Sequence, residues 1–326
     1  MKKEILKRLK EAEGYVSGQE LCQGLGVSRT AVWKAVRQLE EEGYQIQAVR
    51  NKGYRLGSDS DVLSEEELSQ VICGEWAGKQ LVVLKSVDST NAEARRLAEQ
   101  GAPHGTLVLA ECQTAGKGRR GRSWESPEGS GIWMSLILRP EFEPIHASML
   151  TLLAAMAVEE GIRRISGLSC QIKWPNDIVL NGKKVCGILT EMSTEEDSIR
   201  YVVVGIGMNV NLESFPEDLR DKATSLLLES GKPIRRTELA AAVLSAWEAC
   251  YGIFLKTLDF GSLMEEYNKR LVNRGRQVMV LTPGGSWQGD CLGINHEGEL
   301  LVRKADGTVE AVMSGEVSVR GVYGYV

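Results

Sequence analysis

Histidine and cysteine are sparse in this sequence, and neither residue type is clustered. The three histidines and seven cysteines are scattered along 326 residues and form no C-x-x-C pair. A structural zinc site needs ligands at short spacings and a disulfide framework needs paired cysteines, so the pattern favours neither. We therefore expect reduced thiols and no tightly bound metal.

A long uncharged apolar run is also missing. No stretch of about 18 such residues occurs, and the opening residues Met1-Lys2-Lys3-Glu4-Ile5 lead into a charged amphipathic pattern. The sequence therefore predicts neither a transmembrane helix nor a signal peptide, and the expected location is the cytoplasm, with no membrane partner.

Positive charge is concentrated near the N-terminal end. Residues 1–57 contain 11 Lys and Arg against 7 Asp and Glu, whereas the whole chain carries a net charge of −5. The imbalance suggests an anionic partner for this end, although a solvated basic surface would give the same count. Because the chain exceeds the size of one hydrophobic core, we predict three domains, at 1–62, 63–272 and 273–326.

The first 57 residues have the pattern of a winged helix-turn-helix. Three amphipathic segments are separated at Gly14 and Gly26, with a capping box at 17–20 and a capping serine at Ser28. Alternation over 44–49, a turn and a short returning strand predict a β-hairpin wing. Such a module suits DNA, and the alternative is a winged helix used only for protein contacts.

The predicted DNA contacts lie on the outer face of the third helix and at the wing. They are Arg29, Thr30, Trp33, Lys34, Arg37, Arg50 and Lys52. Cationic side chains on one surface neutralise backbone phosphates, which supplies most of the affinity of such modules.

The residue pattern changes twice along the rest of the chain. A polar segment at 57–66 predicts a flexible linker. Strand-like runs follow at 81–85, 106–110, 131–138, 171–174, 185–191 and 201–208, among helical patterns at 91–100, 147–165 and 237–256. Short strands at 277–282, 287–293, 299–303, 308–313 and 316–320 end the chain. The predicted fold class is α+β, with a central α/β domain around a mixed sheet and a small SH3-like β-barrel after it.

Residues 113–124 form the motif richest in chemistry, Q-T-A-G-K-G-R-R-G-R-S-W. Its glycines let the backbone approach a ligand and turn N–H groups towards an anion, while Lys and Arg neutralise carboxylate or phosphate. A Gly/Arg loop also suits nonspecific RNA binding, and the residues alone leave both hypotheses open.

A second motif is K-W-P-N-D at 173–177, followed by a hairpin through Asn181-Gly182 and then G-K-K-V-C-G-I-L. Lysine, tryptophan and carboxylate at a strand end could offer a nucleotide a point charge, a stacking face in Trp174 and a Mg²⁺ ligand in Asp177.

Two shorter motifs have simpler explanations beside the functional one. D-S-T-N at 88–91 places Thr90 and Glu93 at the spacing of a helix capping box. G-I-G-M-N-V-N at 205–211 could reflect close backbone packing in a strand.

In this order and spacing, the four motifs resemble those of biotin–protein ligases. With the winged helix and the terminal small β domain, the resemblance spans nearly the whole chain and is to the bifunctional type that is also a biotin-operon repressor. The family's loop usually reads G-R-G-R-R-G-R, so Lys117 departs from it, keeping the charge but not the bidentate geometry of arginine.

The resemblance implies a set of site residues. Biotin contacts would come from Ser89, Thr90, Asn91, Gln113, Lys117, Gly118, Arg119, Lys184, Gly187 and Gly207. ATP or phosphate contacts would come from Lys117, Arg119, Arg122, Trp124, Lys173, Asn176, Asp177 and Asn209, with Asp177 also a candidate Mg²⁺ ligand. Lys184 and Arg119 would be the catalytic pair.

The implied reaction joins biotin to ATP as biotinyl-5′-AMP and then to a lysine of a biotin carboxyl carrier protein. Operator DNA and a second copy of the chain, paired when the adenylate is bound, would be the other partners. Two alternatives remain at this stage: a biotin-sensing repressor without catalysis, and a ligase for a related cofactor such as lipoate.

Overall fold

The computed structural model describes residues 1–57, 61–282, 284–314 and 318–321. Within these ranges the chain divides into two compact units, Met1–Glu67 and Leu68–Val326. The three predicted domain boundaries stay a prediction. Residues 58–60 of the predicted linker and 316–317 of the last predicted strand lie outside the described residues.

The N-terminal unit is built from three helices and a hairpin. The helices are α1 (Lys2–Glu11), α2 (Gly18–Leu25) and α3 (Arg29–Glu41), and the hairpin pairs β1 (Ile46–Val49) with β2 (Gly53–Leu56) in antiparallel register. Ser17 Oγ accepts from the backbone N–H of Glu20, and Ser28 Oγ accepts from that of Ala31, so both predicted caps are confirmed. Gly26 ends α2 at a φ of 66°, a left-handed conformation that glycine adopts without strain.

The apolar faces of these elements meet in one core. Its members include Ile5, Leu9, Leu21 and Leu39, all at most 2% exposed. The winged helix-turn-helix fold is thereby confirmed.

The segment after the wing is packed and not a loose linker over the described part. Val62 and Leu63 are buried, and Val62 belongs to the core of the N-terminal unit. Tyr44 hydrogen-bonds with Ser64, and Lys10 pairs with Glu67 at 2.6 Å. The expected flexibility of residues 61–66 is therefore wrong, because the segment is held by contacts with residues distant in sequence.

A mixed seven-stranded sheet forms the centre of the second unit. Its strands are β3 (Leu81–Val87), β4 (Leu107–Gln113), β5 (Gly131–Leu138), β6 (Gln171–Lys173), β7 (Asp177–Leu180), β8 (Lys183–Glu195) and β9 (Ser198–Asn209). The spatial order is β3-β4-β5-β9-β8-β7-β6; β3 and β4 run parallel and the other neighbours are antiparallel.

Six further helices follow the wing in the described part of the chain, the first of them beginning in the N-terminal unit. They are α4 (Glu65–Val71), α5 (Thr90–Glu99), α6 (Met149–Ser166), α7 (Leu226–Ser230), α8 (Arg236–Phe254) and α9 (Gly261–Arg270). Residues 144–166 are long and apolar enough to cross a membrane, yet 72% of their most apolar window is buried inside the protein. That helix, α6, packs against α8 and the sheet as a core helix.

The C-terminal strands form a separate antiparallel sheet. They are β10 (Gln277–Thr282), β11 (Gly285–Ile294), β12 (Leu300–Arg303), β13 (Val309–Val312) and β14 (Ser318–Gly321), in the order β13-β12-β11-β10-β14. The α+β class and the small terminal β domain are confirmed.

A buried ion pair joins the sheet to α8. The guanidinium of Arg236 is 1% exposed and donates to both carboxylate oxygens of Glu111, at 2.7 and 3.1 Å, and to the carbonyl of Gly131. Glu111 lies on β4 and Gly131 begins β5, so one side chain fixes three elements. Bidentate geometry makes such a pair specific as well as strong.

Replacing this arginine should be strongly destabilising. Arg236→Met would leave Glu111 without its main partner in a half-buried place, and breaking a buried pair in this way costs about 3–5 kcal/mol. Denaturant unfolding measures the loss. Arg163→Met, which breaks an exposed pair with Glu160, is the control and should barely change the midpoint. Equal effects of the two substitutions would contradict the role given to Arg236.

Candidate functional site

A cleft lies on the central sheet, with about 440 Å³ of space when its open mouth is included, and all ten predicted biotin residues line it. They come from the start of α5, the end of β4, the Gly/Arg loop and the facing parts of β8 and β9. Trp124 and Asn176, predicted for the nucleotide, line it as well. Four other residues predicted for phosphate do not reach its wall: Arg122, Lys173, Asp177 and Asn209.

Thr90 and Gln113 form the polar end of the pocket. Gln113 Oε1 accepts from the backbone N–H of Thr90 at 2.8 Å and lies 3.1 Å from its hydroxyl, while Gln113 Nε2 donates to Ser126. The expected capping box at Thr90 is wrong: Ser89 is the N-cap residue, and Glu93 accepts from Arg96 instead. The Thr90 hydroxyl is thus directed at the pocket and not at its own helix.

Two glycines of β9 make room for side chains on the sheet. A Cβ at Gly205 would lie 2.0 Å from Asn91 Oδ1, and one at Gly207 would lie 2.8 Å from Trp124 Nε1. The two explanations of the G-I-G motif therefore agree, because the glycines pack closely against side chains that line the pocket. Any side chain at these positions would collide with a pocket residue.

The Gly/Arg loop is folded back on itself. Lys117 and Ser123 form an isolated antiparallel bridge, and Gly118 N–H donates to the Arg122 carbonyl at 2.7 Å. Arg120 and Gly121 turn the chain with φ values of 59° and 71°. Lys117 and Arg122 are exposed, whereas Arg119 is half-buried.

Arg119 reaches from this loop to two other segments. One terminal nitrogen donates to Asn176 Oδ1 at 2.9 Å and the other to the Ser314 carbonyl at 2.5 Å. Burial lowers the pKa of Arg119 from its ordinary value, since desolvation disfavours the charged form.

Lys184 stands between an anion and an aromatic ring. Its Nζ is 2.6 Å from Asp177 Oδ1 and 4.9 Å from the centre of the Trp124 ring. The Trp124 indole N–H is buried at the pocket and has no hydrogen-bond partner among the described residues. An ammonium held in this way, with one face open to the pocket, is placed to receive a carboxylate or phosphate.

The K-W-P-N-D segment forms the turn of the β6–β7 hairpin, with Lys173 opposite Asp177 and a cis bond between Trp174 and Pro175. Trp174 is 1% exposed, and its Nε1 donates to the Gly298 carbonyl. The expectation that Trp174 offers a stacking face is wrong, because the ring is buried in the core and no face of it is accessible to a ligand. Asn209 is similarly buried, with its amide on the Thr224 carbonyl.

Asp177 alone makes a poor resident metal site. Among the described residues, no group of three or more His, Cys, Asp and Glu is placed to hold an ion, and Asp177 is already paired with Lys184. Mg²⁺ in such sites is usually held by one or two carboxylates together with substrate phosphates. The donor set fits a metal that arrives with a nucleotide better than one bound beforehand.

The exposed face of the N-terminal unit carries the second candidate site. Every predicted DNA residue on α3 and the wing is exposed, and Trp33 is 49% exposed. The guanidinium of Arg37 lies 5.6 Å from the Trp33 ring centre, a cation–π contact. At the wing, Lys52 and Arg55 flank the ring of Tyr15.

Known proteins resemble this chain along its whole length. Family models match residues 83–209 (biotin/lipoate A/B protein ligase family), 2–55 (HTH domain) and 275–320 (biotin protein ligase C terminal domain). The bifunctional ligase/repressor BirA of Bacillus spizizenii is 42% identical over 322 residues, 98% of each chain. The chain belongs to this ligase/repressor family.

Two further similarities support the assignment. The Escherichia coli ligase/repressor BirA is 30% identical over 305 residues, which are 93% of this chain and 92% of that one. The solved biotin protein ligase from Aquifex aeolicus, in complex with biotin and ATP, is 34% identical with a TM-score of 0.66, and covers 74% of this chain and 99% of that chain. The resemblance seen in the motifs of this ligase/repressor is confirmed.

The predicted set of site residues omitted several residues of the ligase/repressor pocket, four of which lie in the quoted motifs. Ile188, Leu189, Gly205 and Ile206 line it, and Ser135 contacts Thr90 and Asn91 from below. A signal for Ser135 was present, since it is the one polar side chain in the apolar strand 131–138. A buried hydroxyl there requires a partner.

Lys173 gives this ligase/repressor a measurable pH dependence. Burial lowers the pKa of Lys173 to about 8 in the folded chain, against about 10.4 when unfolded. Between these values the unfolded chain holds more protons, so stability rises with pH. Relative to Lys173→Met, the wild-type free energy of unfolding should increase by about 2 kcal/mol from pH 7 to 9.5.

Denaturant unfolding of both proteins at the two pH values tests this expectation, because other titrations cancel in the difference. Lys232→Met, at an exposed lysine, is the control and should show no such change. If the free energy of unfolding of the wild type, relative to that of Lys173→Met, stays constant or falls as pH rises, then Lys173 is not desolvated in the folded chain.

Proposed function

We propose that this ligase/repressor activates biotin with MgATP in the pocket on the central sheet and transfers it to a lysine of a biotin carboxyl carrier protein. The observation that carries the proposal is the convergence of one polar end, at Thr90 and Gln113, and one cationic end, at Lys184 and Arg119, within a single pocket. Biotin has the matching ends, a ureido ring and a carboxylate.

Each end would have a separate task. Ser89, Thr90 and Gln113 would hydrogen-bond the ureido ring, while Lys184 and Arg119 hold the carboxylate against the α-phosphate of ATP. Carboxylate oxygen attacks α-phosphorus, the bond to the bridging oxygen breaks, and pyrophosphate leaves. Fixed cations stabilise the charge that builds up on the phosphoryl oxygens and remove the cost of bringing two anions together.

Mg²⁺ would enter as part of MgATP, with Asp177 and Asn176 beside the phosphates. Lys117, Arg122, Trp124, Lys173 and Asn209 complete the proposed nucleotide set, some of them from outside the pocket wall. In the second half-reaction the carrier's lysine amine attacks the mixed anhydride, and AMP leaves. No nucleophile of the enzyme is needed for either step.

Lys184 should be required for adenylation. Lys184→Gln removes the charge that contacts the reacting phosphoryl oxygen, so biotin-dependent exchange of pyrophosphate into ATP should fall about 100- to 1000-fold. Lys183→Gln is the matched control, since the Nζ of Lys183 donates to the Arg220 carbonyl instead. Near-normal exchange by the Lys184 variant would contradict the assignment.

The same assay separates the alternatives. A biotin sensor without catalysis would bind biotin and exchange no pyrophosphate, and a lipoate ligase would exchange it only when lipoate is supplied.

We further propose a cytoplasmic repressor that binds its operator as a homodimer when biotinyl-5′-AMP occupies the pocket. One winged helix offers few phosphate contacts, so a monomer should bind DNA weakly at physiological salt. The Gly/Arg loop is the proposed coupling element, because the adenylate's charges would fix its conformation. The ligand must then favour the dimer, since equal affinity for both states shifts nothing.

Operator binding should therefore depend on ligand. The DNA is a duplex selected from random sequences by the ligand-bound protein. Biotin plus MgATP should raise both the affinity for this duplex and the sedimentation coefficient of the protein. Added unmodified carrier should lower both. Lys34→Ala should weaken binding and lower the salt slope by about one. The control is Lys7→Ala on α1, which removes an exposed lysine outside the proposed surface.

A fragment of residues 64–326 keeps α4 whole and lacks the proposed DNA surface. It should form the adenylate and fail to bind the duplex. If operator affinity and dimerisation are the same with and without ligand, the proposed switch is wrong, whereas the ligase assignment is untouched.

A further inference from the structure

One large aromatic side chain lies among the charges of the proposed DNA surface. All seven tryptophans fall in the described part of the chain, and six of them are buried or partly buried. Trp33, on α3, is the exception, with 49% of its surface exposed. One exposed apolar residue is ordinary by itself, so the information lies in where this ring is placed.

Trp33 lies at the centre of a stripe along the outer face of α3. Arg29 comes four residues before it and Arg37 four residues after it, so the three side chains follow one another at about 6 Å along the helix axis. Lys34 is exposed beside the stripe, and the buried residues of α3 lie on the opposite face. The ring is therefore surrounded by positive charge, which is complementary to the phosphates of DNA.

The guanidinium of Arg37 covers part of this ring. It lies 5.6 Å from the ring centre, and its Nη1 donates to Glu40 Oε2 at 3.0 Å. Residues three and four apart are neighbours on a helix, so Trp33, Arg37 and Glu40 form one local group. Nearly half of the Trp33 surface still remains open to an outside contact.

The major groove of DNA offers such a ring one kind of apolar group. The second helix of a helix-turn-helix, here α3, lies in that groove when the motif binds DNA. Base edges there present hydrogen-bond donors and acceptors, and the C5-methyl group of thymine is the apolar exception. Phosphate contacts carry no sequence information, so an apolar contact with this methyl would add selectivity to the affinity that the cations supply.

We propose that Trp33 is a specificity residue of the DNA site, and that its ring packs on the C5-methyl group of a thymine in the major groove. The inference rests on the proposed function, in which α3 contacts operator DNA. It adds one base that the helix selects and the group by which that base is recognised. Arg29 and Lys34 hold phosphates, and the uncharged ring between them distinguishes thymine from the other bases.

Uracil is the probe, because it differs from thymine only in lacking the methyl group. In the duplex selected from random sequences by the ligand-bound protein, each thymine is replaced by uracil in turn. The full chain is titrated with biotin and MgATP present. One replacement should weaken wild-type binding about fourfold, as expected when one buried methyl group is lost. The same replacement should leave the affinity of Trp33→Ala unchanged, because no ring remains to lose the contact.

Lys34→Ala is the matched control on the same helix. It removes a cation assigned to phosphate, so it should weaken the thymine and uracil duplexes alike and preserve their ratio. Trp33→Leu keeps an apolar side chain and should retain part of the ratio. Both substitutions of Trp33 change an exposed helix position, so their melting temperatures should stay near that of the wild type.

A uracil effect of equal size in wild type and Trp33→Ala at every thymine would overturn the proposal. So would a selected duplex in which no uracil replacement weakens wild-type binding. If Trp33→Ala alters dimerisation and leaves the thymine-to-uracil ratio unchanged, the ring contacts protein and the proposal is wrong. Wild-type protein that binds no duplex with biotin and MgATP would instead refute the proposed repressor function, so the two failures are distinguishable.

Discussion

The close approach of side chains to the backbone of β9 is the constraint on which the pocket depends. Asn91 lies against Gly205 and Trp124 against Gly207, at distances that no Cβ would allow. The bare strand surface lets a helix N-terminus, a loop and a neighbouring strand converge on one place. In this way the polar end at Thr90 and Gln113 and the cationic end at Lys184 come to line one pocket.

Positive charge around the pocket is held under partial desolvation. Burial lowers the pKa of both Lys173 and Arg119, while Asp177 partly offsets the cost for each. An anionic ligand would reverse the shift and favour the charged forms. Cations fixed before the ligand arrives need little reorganisation, which is the condition for strong electrostatic stabilisation of a transition state.

Much of the fold followed from local signals. The caps at Ser17 and Ser28, the wing turn and the hairpin at Asn181-Gly182 each depend on a few neighbouring residues, so their patterns were sufficient. The docking of Val62 and the burial of Trp174 depend on partners distant in sequence. No local pattern contains that information, and both were predicted wrongly.

The residues of the site divide in the same way, into those marked by a local pattern and those defined by long-range contacts. Motif residues pointed to the pocket because glycines and cations are unusual at such density. Ser135 escaped notice, since a serine is an ordinary residue whose role comes only from the atoms it contacts, here those of Thr90 and Asn91. The Thr90–Glu93 spacing was misleading because Ser89 takes the N-cap position and the Thr90 hydroxyl hydrogen-bonds with Gln113, a partner distant in sequence.

Arg119 also links the pocket to the C-terminal sheet. Its guanidinium holds Asn176 with one nitrogen and the carbonyl of Ser314, two residues after β13, with the other. A ligand that contacts this guanidinium would compete with, or strengthen, its hydrogen bond to the Ser314 carbonyl. Amide exchange at Ser314 would therefore respond to what occupies the pocket, although no described residue of the terminal β domain lines it.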